Sequence, residues 1–501
     1  MPGPEVPGVN LHTIIREVEP DRVSGFANAV VRSVACHPDQ VSGPGFLFVC
    51  MDEYLEYNRW QTWRAHLEAL PQLSLAAIVT PRRLEGLPLP QLITERPRLA
   101  LARVARLLSG FPERGLDLFG VTGTNGKTTT TRLLAHLLNG LGTRCGSMGT
   151  LGVDLSGGFS TSGSYTTPLA PQIQESLARF RGEGAEAVAM EVSSHALALD
   201  RVEGLRYAGA ILTNVERDHL DFHGTLEAYA EAKGRLFERV HRQGRCVLNG
   251  ASPYCGTFAA RASAPVLTFG MEGSGADVEA RDLVLHPAGS RFTVFAPGER
   301  CEMVSRLAGS FQVENALAAI AVAQAQGHSL EAVAQALETF PPVCGRMEQI
   351  PMPNGCTAIV DYAHNPDGLK HLLEACRGFC PGRLHVVFGC GGDRDKGKRP
   401  LMGRIAAEFG DAVWVTSDNP RTEDPGRIME DILAGMKGSG IPVEREMDRG
   451  RAIAAAFQAT GPGDVLVVAG KGHEDYQLIG TFRHPFSDQA VLQELRTAGG
   501  S

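Results

Sequence analysis

A chain of 501 residues is long enough for two to four domains, each with its own core. A hydrophobic share of 43% with 21% charged residues is that of an ordinary water-soluble globular protein, and the net charge of −8, with Lys and Arg scattered, argues against nucleic-acid binding. No apolar run approaches the ~20 residues of a membrane span, and residues 1–10 lack the basic-then-apolar pattern of a secretory leader.

The 11 cysteines form no CxxC pair and no even framework, so reduced thiols in a cytoplasmic protein are expected. In chain order, residues 1–109 hold short strand-like runs (45–51, 76–80) between Pro- and Arg-rich turns, which suits a smaller α/β domain. From 110 to 340, strand patterns at 117–121, 187–191 and 208–214 alternate with helical ones such as 132–141, predicting a parallel sheet covered by helices. Pro341-Pro342 reads as a hinge. Residues 341–501 repeat the α/β pattern, with strands at 357–362, 384–389, 412–417 and 464–469.

The most informative stretch is Gly120-Val-Thr-Gly-Thr-Asn-Gly-Lys-Thr-Thr-Thr-Thr131. A buried strand runs into a loop holding Gly123 and Gly126, and a helix follows. In that order, backbone N–H groups at the helix start surround a phosphate, Lys127 adds a point charge, and the Thr128 hydroxyl is offered to Mg²⁺. The first glycine is displaced from the usual Gly-x₄-Gly-Lys-Thr spacing, which points away from generic P-loop proteins.

Further polar segments sit where strands should end, the place where open α/β sheets bind ligands. Glu191, after the run 187–190, is either a Mg²⁺ ligand or, with Ser193, a helix-capping pair. His219 and His223 are four apart, as in a zinc pair, but the Glu of His-Glu-x-x-His is missing and the segment follows a strand. A hard-cation site using one His beside carboxylates fits better. Residues 226–240 carry a helical apolar stripe with Lys233 in its middle, on the face expected to be buried. That lysine is either a snorkelling side chain at the core's rim or a neutral amine able to form a carbamate with CO₂.

Asn315, opening an Ala-rich helix at 316–325, and Asp361, His364 and Asn365, at the end of the strand 357–360, are either caps or nucleotide contacts. Arg346, just past the hinge, is placed to reach phosphate from another domain. Charges of both signs at three C-terminal strand ends (391–399, 418–421, 470–474) suit a small zwitterionic ligand, and a solvated charged face is the alternative. Gly389-x-Gly391-Gly392 is only a partial dinucleotide fingerprint.

Taken together, these segments resemble the Mur ligase family, from about residue 115 to 489, with several motifs in the family's order. The resemblance implies an N-terminal UDP-substrate-binding domain (1–109), a central P-loop-type ATP-binding domain (110–340) and a C-terminal Rossmann-like amino-acid domain (341–501). It implies an ATP-dependent, ADP- and phosphate-forming ligase of peptidoglycan precursor synthesis, working as a cytoplasmic monomer. Such a ligase adds a diamino acid to UDP-MurNAc-L-Ala-D-Glu through an acyl phosphate.

By the same resemblance, Gly123, Thr124, Asn125, Gly126, Lys127, Thr128 and Thr129 hold ATP, joined by Asn315, Arg346, Asp361, His364 and Asn365. Thr128 and Glu191 serve one Mg²⁺, and His219 with Lys233, as N6-carboxylysine, a second. Lys127, Glu191, His219 and Lys233 are the catalytic set. Thr166, Thr167, Ser193, Arg201 and Lys233 meet the muramoyl-dipeptide. Arg394, Asp418, Asn419, Pro420, Arg421, Gly470 and Glu474 take the amino acid. Asp418-Asn419-Pro420-Arg421 is the form associated with meso-diaminopimelate, whose distal carboxylate suits Arg421 and Arg394, with lysine and ornithine as alternatives. The N-terminal segments 31–36 and 51–55 depart from the family pattern, so no uridine contacts carry over. The rivals are a folylpolyglutamate synthetase-like sister ligase, and a P-loop phosphotransferase or nucleotide-dependent regulatory module.

Overall fold

A computed structural model describes residues 8–25, 28–55, 59–155 and 165–498, with the side chains of 54, 55, 59 and 60 left aside. Residues 1–7 of the N-terminal segment and the Gly/Ser tail at 499–501 lie outside it.

Three large sheets follow one another along the chain, beside three two-stranded ones among the described residues. The first has five strands, in the order Arg22–Ser24, Gln91–Ile93, Leu75–Thr80, Phe46–Val49, Ser33–Ala35. It is parallel apart from the Arg22–Ser24 edge. The helix Pro97–Leu108 closes one face, with Ala100, Leu101 and Val104 packed on Val49 and Val79.

The central sheet has ten strands. Seven run parallel: Cys145–Gly149, Ala187–Glu191, Asp117–Thr122, Tyr207–Leu212, Val240–Asn249, Val266–Met271 and Val278–His286. Antiparallel strands extend both edges: Gly152–Asp154 on one, Gly289–Ala296 and Glu299–Ser305 on the other. Strand alternation decides the layers. Phe119 and Val121 face the helices Lys127–Gly140 and Ser310–Ala325, whereas Leu118 faces Ile173, Leu177 and Phe180 on the other side. The Ser310–Ala325 helix is buried on nearly every side, which its alanines permit by letting neighbours approach closely.

The third sheet, in the order Glu348–Pro351, Thr357–Asp361, Val465–Ala469, Leu384–Phe388, Ala412–Val415, Val443–Arg445, is parallel except at its first strand. Separate cores pack against its two faces.

Three local expectations need correction. The helix expected near 132–141 starts five residues earlier, at Lys127, directly on the glycine loop. The stripe at 226–240 is not one helix. It comprises Leu226–Gly234, a 3₁₀ turn at Phe237–Arg239, and a strand beginning at Val240. Leu236, Phe237 and Val240 are all buried, so the apolar rhythm persists after the helix has stopped. Asn315 is no cap, because it lies inside the Ser310–Ala325 helix. Asp361 is the last residue of its strand, while Asn365 does cap the helix Pro366–Phe379.

Candidate active site

The strand Asp117–Thr122 ends in the glycine loop, and the loop ends in the helix Lys127–Gly140. Two glycines have steric reasons. A Cβ on Gly123 would lie 1.8 Å from Thr213 Oγ1; one on Gly126, at φ +84°, would lie 2.2 Å from Asn315 Oδ1. Asn214 Oδ1 accepts from the N–H groups of Thr124 (3.2 Å) and Asn125 (2.9 Å), and Thr213 Oγ1 donates to the Asn125 carbonyl (2.6 Å). No side chain caps the helix. Its first N–H groups lack intrahelical partners, and with the helix dipole they favour an anion. Lys127 Nζ lies back on the carbonyls of Gly123 (3.0 Å) and Thr124 (2.8 Å), and burial pushes its pKa down against the pull of Glu191 and Asp218.

Glu191 ends the neighbouring strand, 2% exposed, and accepts from the Thr150 N–H (2.8 Å) and hydroxyl (3.1 Å). Of the two readings for the Glu191–Ser193 pair, capping belongs to Ser193 alone, which caps the short helix Ser194–Ala198. Asp218 lies between two imidazoles, 3.5 Å from His219 Nε2 and 3.8 Å from His364 Nε2. Burial would raise its carboxyl, but His219, His364 and Lys398 hold it well below the usual range. Burial pulls the His219 pKa down, against the opposing pull of Asp218. His223 Nε2 meets Ser194 Oγ at 3.0 Å, and the His219 and His223 rings both pack on His195, with centroids 4.7 and 5.5 Å away. Among the described residues no group of three or more metal-ligating side chains gathers.

Lys233 is 1% exposed, as the stripe predicts. Its Nζ donates to the Gly123 carbonyl (2.7 Å) and lies 4.2 Å from the Tyr229 ring centroid. Burial, then the nearby Lys127, lowers its pKa well below that of an ordinary lysine. The snorkelling reading fails, because the head group is inside.

A cavity of about 560 Å³ opens between the central and C-terminal sheets. Thr124 to Thr129, Thr166, Glu191, His219, Asn315, Arg346, Asp361 and His364 all line it. Arg346 crosses from the segment after Pro341-Pro342, donating from Nη2 to Thr128 Oγ1 (3.2 Å) with its guanidinium 4.4 Å from the Tyr362 ring centroid. Asp361 accepts from the N–H groups of Met347 (2.6 Å) and Ala363 (2.7 Å), which ties the 345–347 segment to the strand end. Asn365 exchanges amide hydrogen bonds with Asn125 across the two sheets (3.0 and 3.3 Å).

Other expected residues lie outside that cavity. Thr167, Ser193 and Arg201 form a buttress: Thr167 Oγ1 donates to the Glu191 carbonyl (2.9 Å) and accepts from the Ser193 N–H (3.0 Å), and Arg201 Nη1 donates to the Thr167 carbonyl (2.8 Å). The C-terminal set is a second cluster. Arg421, at φ +51°, donates from Nη1 to the Gly392 carbonyl (3.0 Å), and its buried Nε has no partner among the described residues. Asn419 Nδ2 donates to Glu474 (2.8 Å), and a Cβ on Gly470 would lie 2.6 Å from Asp418 Oδ2. Arg394 donates to the Asp393 carbonyl (3.2 Å).

The model of the Mur ligase middle domain matches residues 121–323, and that of the "Mur ligase, glutamate ligase domain" matches 345–472. A protein of Gloeobacter violaceus is 48% identical over 394 residues, 78% of this chain and 80% of the relative. One of Parasynechococcus marenigrum is 40% identical over 97% of this chain and 99% of its own. The chain belongs to the Mur ligase family. Both relatives are named UDP-N-acetylmuramoyl-L-alanyl-D-glutamate--2,6-diaminopimelate ligase. A solved structure under that same name is 32% identical, with a TM-score of 0.67, covering 99% of this chain and 100% of that one. A MurF structure from Acinetobacter baumannii, at 17% identity and TM-score 0.68, shares the fold.

In this Mur ligase, sequence reading passed over Asp218, Asn214 and Lys471. All three stand in segments rich in other polar residues. What marks them is tertiary: Asp218 lies between histidines from two sheets, Asn214 holds the loop's N–H groups, and Lys471 has no exposed surface.

Proposed function

We propose that this Mur ligase adds meso-2,6-diaminopimelate to UDP-MurNAc-L-Ala-D-Glu at the expense of ATP, as a cytoplasmic monomer in peptidoglycan precursor synthesis. One observation carries the reading: an uncapped glycine-bounded helix start, a buried carboxylate and an arginine from the segment leading into the C-terminal sheet converge on one cavity. The names of the relatives, which cover 78% and 97% of the chain, supply the substrates.

Residues 110–340 bind ATP, 341–501 the amino acid and 1–109 the UDP end of the substrate. The loop from Gly123 to Thr129 holds the phosphates through backbone N–H groups, with Lys127 swinging from its carbonyl partners to the terminal phosphate. Asn315, Arg346, Asp361, His364 and Asn365 hold the rest of the nucleotide. Thr128 and Glu191 are oxygen donors on one cavity wall and suit a Mg²⁺ ion. His219, which also lines the cavity, suits a second together with Lys233, which lies outside the lining with its amine on the Gly123 carbonyl. Mg²⁺ supplies charge neutralisation where two anions must meet. Lys233 fits the carbamate, because its buried, deprotonation-prone amine reacts with CO₂ to give N6-carboxylysine and one released proton. Thr166, Thr167, Ser193, Arg201 and the modified Lys233 orient the muramoyl-dipeptide.

In the reaction, the D-Glu carboxylate attacks the γ-phosphate, ADP leaves, and the acyl phosphate is attacked by the amine, releasing phosphate and one proton. Arg346 and Lys127 face the charge built up in the first step. Arg421 and Arg394 bind the distal carboxylate of diaminopimelate, which lysine and ornithine lack. Without it the buried Arg421 Nε stays unpaired, a penalty that sets the preference.

Phosphate release with ATP and UDP-MurNAc-L-Ala-D-Glu, measured against diaminopimelate, lysine, ornithine and glutamate, tests the proposal. Diaminopimelate-dependent release is expected. Release without any amine would refute the ligase reading, and preference for lysine or ornithine would refute the role of Arg421.

A further inference from the structure

Behind the C-terminal polar cluster lies a lysine with no exposed surface. Lys471 follows Gly470, just beyond the strand Val465–Ala469, and its side chain is 0% exposed. Its ammonium donates to Glu474 Oε2 (2.8 Å) and Asn419 Oδ1 (3.1 Å) and lies 5.5 Å from the Tyr476 ring centroid. Asn419 Nδ2 donates to the same Glu474 oxygen (2.8 Å), and its Oδ1 also accepts from the Leu478 N–H (2.9 Å). Lysine, carboxylate and carboxamide thus form a closed triangle in which each group is held by the other two.

The neighbouring cations are already engaged. Arg449 is taken by Asp488 through two 2.7 Å bonds, and Arg421 Nη1 lies on the carbonyls of Gly392 and Asn419. Lys471 is therefore the cation in contact with Glu474. It also faces Asp418: burial would raise that carboxyl, but Lys471 first, then Arg449, holds it down. A fully buried ammonium is costly unless its partners need it, and a packing role alone would be served by Met.

We propose that Lys471 is the positioning residue of the amino-acid site. It locks the Glu474 carboxylate and the Asn419 carboxamide in the geometry that receives the ammonium end of a diamino acid, and so sets the affinity for the amine without touching it. This rests on reading the 418–421 and 470–474 segments as the amino-acid site.

Steady-state kinetics of the full chain carrying K471M, E474Q, N419A or both K471M and E474Q test it. K471M should raise KM for diaminopimelate on the order of 100-fold, because it strands the largely buried Glu474 carboxylate, 13% exposed. KM for ATP and for the UDP-dipeptide, and kcat at saturating amine, should stay near the parent values. E474Q alone should raise the amine KM, and K471M added to it should change little further, since Lys471 acts through Glu474. The double variant also keeps the site charge-balanced, so it folds where K471M alone fails. An unchanged amine KM in K471M overturns the proposal, as does a double variant in which the two effects multiply. If neither E474Q nor N419A moves the amine KM, the amino-acid site is elsewhere and the proposal falls with it. If they move it and K471M does not, only the role of Lys471 falls.

Discussion

Lys233 and Gly126 show how differently two residues reveal themselves. Lys233 was visible in the sequence because a charge on an apolar stripe contradicts its surroundings, and the structure puts its amine on the Gly123 carbonyl. Lys233→Ala should lower activity at least 100-fold, with part of it restored by short carboxylates that replace the carbamate; activity equal to the parent would refute the carbamate. Gly126 was legible as a loop glycine, but its partner was not: Asn315, 189 positions on, occupies the space of a Cβ. Gly126→Ala combines that clash with a left-handed backbone costing about 1–2 kcal/mol. It should weaken ADP binding at least tenfold by calorimetry. Asp218 carried no comparable signal, since an Asp beside charged neighbours usually marks a solvated turn, and only the fold brings His364 to it.

At the scale of elements, the strands were legible and several boundaries were not. Buried parallel strands are continuous apolar runs, so 117–121 and 187–191 stood out. The stripe at 226–240 misled because a helix, a 3₁₀ turn and a strand in sequence can all face the same core, and periodicity does not record the change of backbone.

The helix Lys398–Phe409 gives a prediction of its own. Arg399, 1% exposed, is held by Glu423 (2.8 and 3.2 Å) and Asp431 (2.9 Å). Burial would raise Glu423, yet bonds from Arg399, the Asp393 N–H and Lys396 bring it from 4.5 down to about 2. A depressed carboxyl stabilises the fold fully above its unfolded pKa, and that stabilisation is lost as pH falls from about 4.5 towards 2. Glu423→Gln should therefore lower Tm at pH 7, and the gap to the parent should narrow by pH 3. A constant gap would contradict the ion pair.

Across the whole molecule, the succession of three large sheets was readable from the alternation of strand and helix patterns. How two sheets meet was not, because it depends on side chains distant in sequence. Arg217 reaches Asp395 (3.0 Å), and Asn125 meets Asn365. Asn365 also caps its helix through the Gly368 N–H (2.8 Å). Asn365→Ala should lower Tm by roughly 2 °C for the lost cap, and raise KM for ATP by untying the phosphate loop from the opposite sheet. A Tm shift with KM for ATP unchanged would show the contact to be structural only.

On the proposed function, this cavity phosphorylates a carboxylate before an amine arrives. That step is tested most directly with UDP-MurNAc-L-Ala-D-Glu labelled with ¹⁸O in the reacting carboxylate. After turnover with diaminopimelate and ATP, the account predicts one ¹⁸O in each phosphate released. Phosphate free of label, with the oxygen lost from the carboxylate released as water, would contradict it.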